Sequence, residues 1–408
     1  MKILILTQYF PPEVGAPQNR LFELAVRLQK LGAEISVLTA MPNYPQMQIY
    51  KAYQGKKYFF EEMNGLKIHR SWIYVSSSKS IVPRLMNYFS FVFSSMWIGC
   101  FKLEKFDFVL CESPPLFLGI TAYVLKKIKR SKLIFNVSDL WPESAEKLGL
   151  VKNKFLLSLS SKLEEFMYRK SELISGQTQG IVKNISDRFP EKKIFWLPNG
   201  VDLSFYKYDE IDAEKWRQKN NFSNTDFILL YAGIIGHAQG LEVILKAAEK
   251  LKLHPKIKFI LLGSGPEKIN LEQLKNQLQL ENVFFFDVVA KTEMPEIIAT
   301  SDVSIIPLKK LDLFKGAIPS KIFENLAMKK AILLGVEGEA KELFIDEGKC
   351  GLAFIPEDSA DLANKILELY NHPISLKTFG ENGYNYVQKK FTRDKIATDF
   401  WNFINLNQ

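Results

Sequence analysis

The chain has 408 residues, with 54 Lys and Arg against 45 Asp and Glu, for a net charge of +9. That length is too great for one ordinary core and suggests two or three domains, while 47% hydrophobic and 24% charged residues exclude a disordered or fibrous chain. Cys100, Cys111 and Cys350 form neither a disulfide framework nor a CxxC pair, which fits a reducing cytoplasm, and four histidines without HExxH argue against zinc hydrolysis.

Residues 3–6 read as a buried first strand, too short an apolar run for a signal peptide. In 19–31, Leu21, Leu24, Ala25, Leu28 and Leu31 share one helical face, and Gly32 ends the helix. Residues 35–39 are the next strand. Residues 85–101 carry no charge but fall short of the roughly 20 apolar residues of a spanning helix. A buried or half-buried helix, a helix in the membrane interface with Trp97, Phe101, Arg84 and Lys102 to suit it, and a true span stay open there. Strands at 106–111, 133–137, 173–176 and 194–197 complete the first half.

The second half starts afresh with a strand at 227–232 and a helix at 241–251. Strands at 258–262, 283–286, 303–307 and 331–334 follow, separated by helices, and helices at 376–390 and 393–405 close the chain. Strands interleaved with helices imply parallel sheets covered on both faces. Two such series imply two doubly wound α/β domains. The turn formers Pro198, Asn199 and Gly200 mark the boundary.

In such sheets, ligands bind beyond the carboxyl ends of the strands. The loop after the first strand has one glycine, Gly15, so the dinucleotide fingerprint GxGxxG is absent, as is the P-loop. The first strand of the second half runs into Gly233, Gly236, His237, Gln239 and Gly240 and then a helix. Glycines permit close backbone approach, and a helix start offers unpaired N–H groups, so this loop can hold phosphate or be a plain tight turn. Gly263 and Gly265 repeat the pattern after the next strand. Lys321 and Glu324, three apart, share a helix face, where a cation for phosphate and a carboxylate for a ribose diol can meet, or a surface ion pair can form. In the first half, Ser138, Asp139, Trp141 and Glu143 follow a strand; they can cap a helix or face a ligand.

Several runs in order carry a resemblance: 9–15 (YFPPEVG), 138–144 (SDLWPES), 197–202 (LPNGVD), 263–266 (GSGP), 319–324 (PSKIFE) and 391–393 (FTR). Over nearly its whole length the chain resembles the family 4 retaining glycosyltransferases. The runs 138–144 and 238–242 are most similar to a bacterial branch that includes L-N-acetylfucosamine (L-FucNAc) transferases of O-antigen and capsule assembly. The resemblance implies the GT-B fold: two Rossmann-like α/β domains facing across a cleft, with the C-terminal helix returning to the first. Residues 1–198 with 391–408 would form the acceptor-side domain, and 199–390 the nucleotide-sugar domain.

It also implies sites. The donor, a UDP-sugar acting as substrate with no cofactor and no metal, would meet Gly236, His237, Gln239, Gly240, Gly263, Gly265, Ala317, Pro319, Ser320, Lys321 and Glu324. Glu324 matches the second glutamate of the family's E-x7-E motif. The first would fall at Gly316, so backbone groups of 317–320 would take over its contacts. Where many members place Arg and Lys, this chain has His237 and Gln239; Lys321 would supply the charge, with Lys315 in reserve. Ser138 or, as the favoured choice, Asp139 would stand in for the family's catalytic-site histidine, with Glu143 beside it, and Gly15, Ala16, Asn19 and Trp141 would lie on the acceptor side. The partner would be a polyprenyl-linked saccharide at the inner face of the cytoplasmic membrane, where basic residues 126–132 would meet anionic lipid. Nucleic acid is not expected. Two other outcomes are a nucleotide-sugar epimerase, which would turn over without acceptor, and a GT-B subunit that has lost catalysis.

Overall fold

The computed structural model describes every residue except 79, 148–150 and 152. The described residues form two compact units, Met1–Pro198 with Arg393–Gln408, and Asn199–Thr392. Phe391 stays in the second unit, its ring 5.3 Å from Phe323 and 5.6 Å from Phe344.

The first unit contains strands β1 (Lys2–Leu6), β2 (Glu34–Ala40), β3 (Tyr58–Met63), β4 (Leu66–Ser71), β5 (Phe108–Ser113), β6 (Lys132–Val137), β7 (Leu173–Gly176) and β8 (Lys193–Trp196). They form one sheet in the order β3-β4-β2-β1-β5-β6-β7-β8. Only β3 runs antiparallel, paired with β4. Period-two alternation sends Leu4, Leu6, Val109 and Phe135 into one core, and Ile3, Ile5, Leu110 and Ile134 into another on the opposite face. Helix Ala16–Lys30 covers the second face, starting three residues before the sequence-based expectation because Pro17 fits its first turn. The last helix, Arg393–Asn405, packs beside it with Phe400 and Ile404 fully buried. Two ion pairs tie these helices, Arg27 Nε to Asp394 at 2.8 Å and Arg393 Nε to Glu23 at 3.1 Å.

On the other face lies helix Ile81–Phe101, with Phe91, Val92 and Ile98 buried and Val82, Met86, Phe93, Trp97 and Phe101 exposed. Those exposed positions recur every four or seven residues and so line one stripe. The helix is thus half-buried. Among the described residues no helix is long and apolar enough to cross a membrane.

The second unit contains β9 (Phe227–Ala232), β10 (Ile257–Leu262), β11 (Val283–Phe286), β12 (Val303–Pro307), β13 (Ala331–Gly335) and β14 (Gly351–Ala353). Their spatial order is β11-β10-β9-β12-β13-β14, all parallel. This is the strand order of dinucleotide-binding folds, whose topological switch point, here between β9 and β12, is where such sheets bind ligands.

Candidate active site

In the second unit, the loop after β9 is built against the loop after β10. Gly233 N donates to Leu262 O at 2.9 Å, and Ile235 N to Ser264 O at 2.8 Å, extending the ladder past the strands. A β-carbon on Gly263 would lie 1.9 Å from Gly233 O, and one on Gly265 would lie 2.2 Å from Ile235 O. Neither position can hold a side chain. Their requirement for glycine therefore comes from loop-on-loop packing and needs no ligand to explain it.

The short 3-10 helix His237–Gln239 follows, flanked by Gly236 and Gly240. His237 Nδ1 sits 2.9 Å from Glu267 Oε1, so this imidazole is engaged by a carboxylate. Gln239 folds back on Gly236, where a β-carbon would be 2.9 Å from its Oε1. Gly236, His237, Gly240, Glu267 and Lys309 line a cavity of about 220 Å³.

Lys321 opens helix Lys321–Ala327, next to Ser320. Its ammonium lies 3.7 Å over the ring centroid of Tyr231, near the end of β9. The Tyr231 hydroxyl donates to Ile234 O at 2.6 Å, which fixes the ring beneath it. A β-carbon on Gly233 would lie 3.0 Å from Lys321 Nζ, so the ammonium rests on bare backbone. Burial pushes Lys321 down to about 7, against the opposing pull of the Glu324 carboxylate. Glu324 is half-buried one turn along the same helix. Ala317 ends the preceding turn, its N–H on Phe314 O at 3.0 Å, and the carbonyls of Pro319 and Ser320 accept the first bonds of the Lys321 helix at 3.1 and 3.2 Å. A β-carbon on Gly316 would meet nothing within 4 Å. Lys315 pairs with Asp312 at 2.8 Å.

In the first unit, Asp139 lies two residues past β6. Its Oδ2 accepts from Ser144 Oγ at 2.8 Å. Burial raises its pKa, opposed by the bonds from Ser144 and the Leu140 backbone, while Glu143 adds to the rise. Glu143 itself is exposed at the start of helix Glu143–Lys147. Trp141 is half-buried, edge-on to Phe117 with centroids 5.5 Å apart. Gly15 is extended and its carbonyl accepts from Asn19 N at 3.1 Å, at the start of helix Ala16–Lys30. The side chain of Ala16 lies outside the described residues.

Sequence reasoning missed four residues here. Glu13, buried, accepts from the N–H groups of Phe10, Asn43 and Tyr44 and so fastens the loop after β1 to the segment after β2. Arg20 and Glu112 form a buried ion pair at 2.6 Å that also holds Ser138 Oγ. Tyr231 carries the Lys321 ammonium. The available signals were Arg20 standing one turn before Leu24 on the helix's apolar stripe, and Tyr231 as the one aromatic among the inner residues of an aliphatic strand. Among the described residues, no group of three or more His, Cys, Asp or Glu is placed to hold a metal ion.

Two family models match the chain, glycosyltransferase family 4 over residues 18–205 and glycosyl transferases group 1 over residues 212–386. The Escherichia coli (strain K12) glycosyl transferase WcaI, whose name assigns it to colanic acid biosynthesis, is 26% identical over 334 residues, covering 80% of this chain and 81% of that protein. Sucrose-phosphate synthase of Thermosynechococcus elongatus superposes with a TM-score of 0.76 at 15% identity, over 99% of this chain and 98% of the other. Anabaena HepE, solved with UDP-glucose, gives 0.72 at 17% identity, over 99% of each chain. With a family 4 model on its first unit and a group 1 model on its second, the chain is a glycosyltransferase of the GT-B fold.

Proposed function

We propose that this glycosyltransferase moves a sugar from a UDP-sugar to a lipid-linked saccharide during assembly of a bacterial surface polysaccharide, with retention at the anomeric carbon. The observation that carries the donor side is Lys321. It is a desolvated cation poised over an aromatic ring at the switch point of the second sheet. A diphosphate would add its own negative charge beside this buried ammonium, which the Glu324 carboxylate only partly offsets, and gains more as the glycosidic bond breaks. Glu324, on the same helix, takes the ribose. HepE, of the same fold, was solved with UDP-glucose, which supports UDP as the base-carrying half.

The first unit takes the acceptor. The acceptor hydroxyl oxygen bonds to the anomeric carbon while the bond from that carbon to the UDP phosphate oxygen breaks. The electron pair leaves with UDP, and the hydroxyl proton passes to Asp139. Burial raises the basicity of that carboxylate, as the role requires. The SDLWPES run around it favours an N-acetylated deoxyamino sugar such as L-FucNAc as the transferred group, and WcaI's name supports a surface polysaccharide as the product. The exposed stripe Phe93, Trp97 and Phe101, with Lys102, Lys127 and Arg130 exposed nearby, suits contact with the anionic inner face of the membrane where such acceptors sit.

The test is a thermal-shift panel of UDP, GDP, ADP, dTDP and CMP. A selective rise with UDP is expected, because ligand binding to the native state raises the melting temperature by mass action. A rise with GDP or dTDP alone would replace the base. No rise with any nucleotide, in a folded sample, would refute the donor site.

A further inference from the structure

The buried polar groups at the carboxyl end of the first sheet form a chain of hydrogen bonds with one loose end. Arg20 is 6% exposed. Its Nη2 donates to Glu112 Oε1 and to Ser138 Oγ, each at 2.6 Å. Ser138 Oγ gives its own proton to Glu112 Oε1. Glu112 Oε2 accepts from Asn136 Nδ2, and Asn136 Oδ1 accepts from Ser175 Oγ at 2.7 Å. Arg20 Nη1 is equally buried and has no hydrogen-bond partner. An unpaired buried donor costs about 1–3 kcal/mol, and folded proteins keep few of them. This one lies beside the residues that end β5 and β6, the edge of the sheet where ligands bind.

We propose that Arg20 is a substrate-binding residue of the first unit, its Nη1 edge donating to a hydroxyl oxygen of the acceptor saccharide. The charge balance selects a neutral oxygen. Glu112 already neutralises the guanidinium, and Asp139 follows Ser138 directly. A phosphate here would bring a further negative charge to a buried guanidinium already paired with Glu112. A sugar hydroxyl accepts the N–H and keeps its own proton free to leave. The same bonds commit the Ser138 proton to Glu112, which makes Ser138 a positioning residue and leaves proton transfer to Asp139.

This inference rests on the assignment of the acceptor to the first unit, and the test separates the two. The full chain is assayed with a UDP-amino sugar donor and a panel of N-acetylhexosamines carried on undecyl diphosphate, the lipid-linked form that the assigned function requires. Wild-type turnover of any of these probes tests the assigned function by itself; no turnover with any probe would sink that assignment and this inference with it. Arg20→Lys keeps a cation opposite Glu112 but has one terminal nitrogen where arginine has two. The expected result is an acceptor KM raised by about tenfold or more, with UDP affinity and donor KM unchanged and a melting temperature that falls without loss of the folded state. An unchanged acceptor KM, or a fall in kcat that tracks a loss of UDP affinity, would overturn the proposal. A crystal structure of the wild type with UDP and the accepted probe decides the point without a variant. Nη1 within hydrogen-bond distance of a saccharide oxygen supports it, and Nη1 bonded to water or protein with the saccharide elsewhere refutes it.

Discussion

The carboxyl edges of the two sheets are held in different ways. In the second unit, the loops after β9 and β10 touch backbone to backbone, with Gly263 and Gly265 giving the clearance. In the first unit, the loops are joined by buried side chains: Glu13 gathers three backbone N–H groups, and Glu112 gathers Arg20, Ser138 and Asn136. The likeness in fold therefore hides a difference in fragility. Added volume should break the second edge. Altered charge should break the first.

The largest effect is expected at Gly263. A β-carbon there would sit 1.9 Å from Gly233 O, and the backbone φ of +144° is one that L side chains rarely adopt. Gly263→Ala should cost about 3 kcal/mol or more of second-unit stability, read as a lower melting temperature and a lost UDP-induced shift. A variant that melts like the wild type would show that the two loops can part without penalty.

Asp139→Asn comes next and probes charge rather than volume. The amide keeps the shape of the carboxylate but cannot take a proton. Transfer should fall by roughly 10²–10⁴-fold, with UDP binding intact. Full transfer activity would remove Asp139 as the base.

The smallest effect is expected at Gly316, on the same edge as Gly263 but facing open space. Gly316→Glu, which restores the glutamate expected there in the family, should change stability by no more than about 0.5 kcal/mol. A large loss would mean that this part of the edge is also limited by clearance.

The sheets were legible in the sequence because parallel strands buried on both faces are written as short aliphatic runs. The β3–β4 hairpin was not. Its strands, YFFEEM and LKIHRS, mix charge with aromatic residues because β3 is an edge, and buried Arg70 is matched to Glu61 across the pair. The glycines of the donor loops were legible as special positions, but the physical reason found for Gly263 and Gly265 is packing. Lys321 could be picked out from the helix start and its spacing to Glu324, whereas its seat over the ring of Tyr231, 90 residues earlier, could not. Arg20 and Glu112 lie 92 residues apart, a separation no local pattern spans.

The central claim is that Lys321 receives the donor diphosphate. Its ammonium, pushed down to about 7 by burial, is mostly charged below that pH and mostly neutral above it. The diphosphate of a UDP-sugar keeps the same charge across this range, so the change in affinity reports the lysine. Calorimetric titration with UDP-N-acetylglucosamine at pH 6 and pH 8.5, with uridine as control, is the most direct measurement. The account predicts weaker binding at the higher pH, approaching about tenfold for each unit above 7, a flat response for uridine, and a flat and weaker response for Lys321→Ala. Affinity for the UDP-sugar that is independent of pH, or that Lys321→Ala lowers no more than it lowers affinity for uridine, would contradict it.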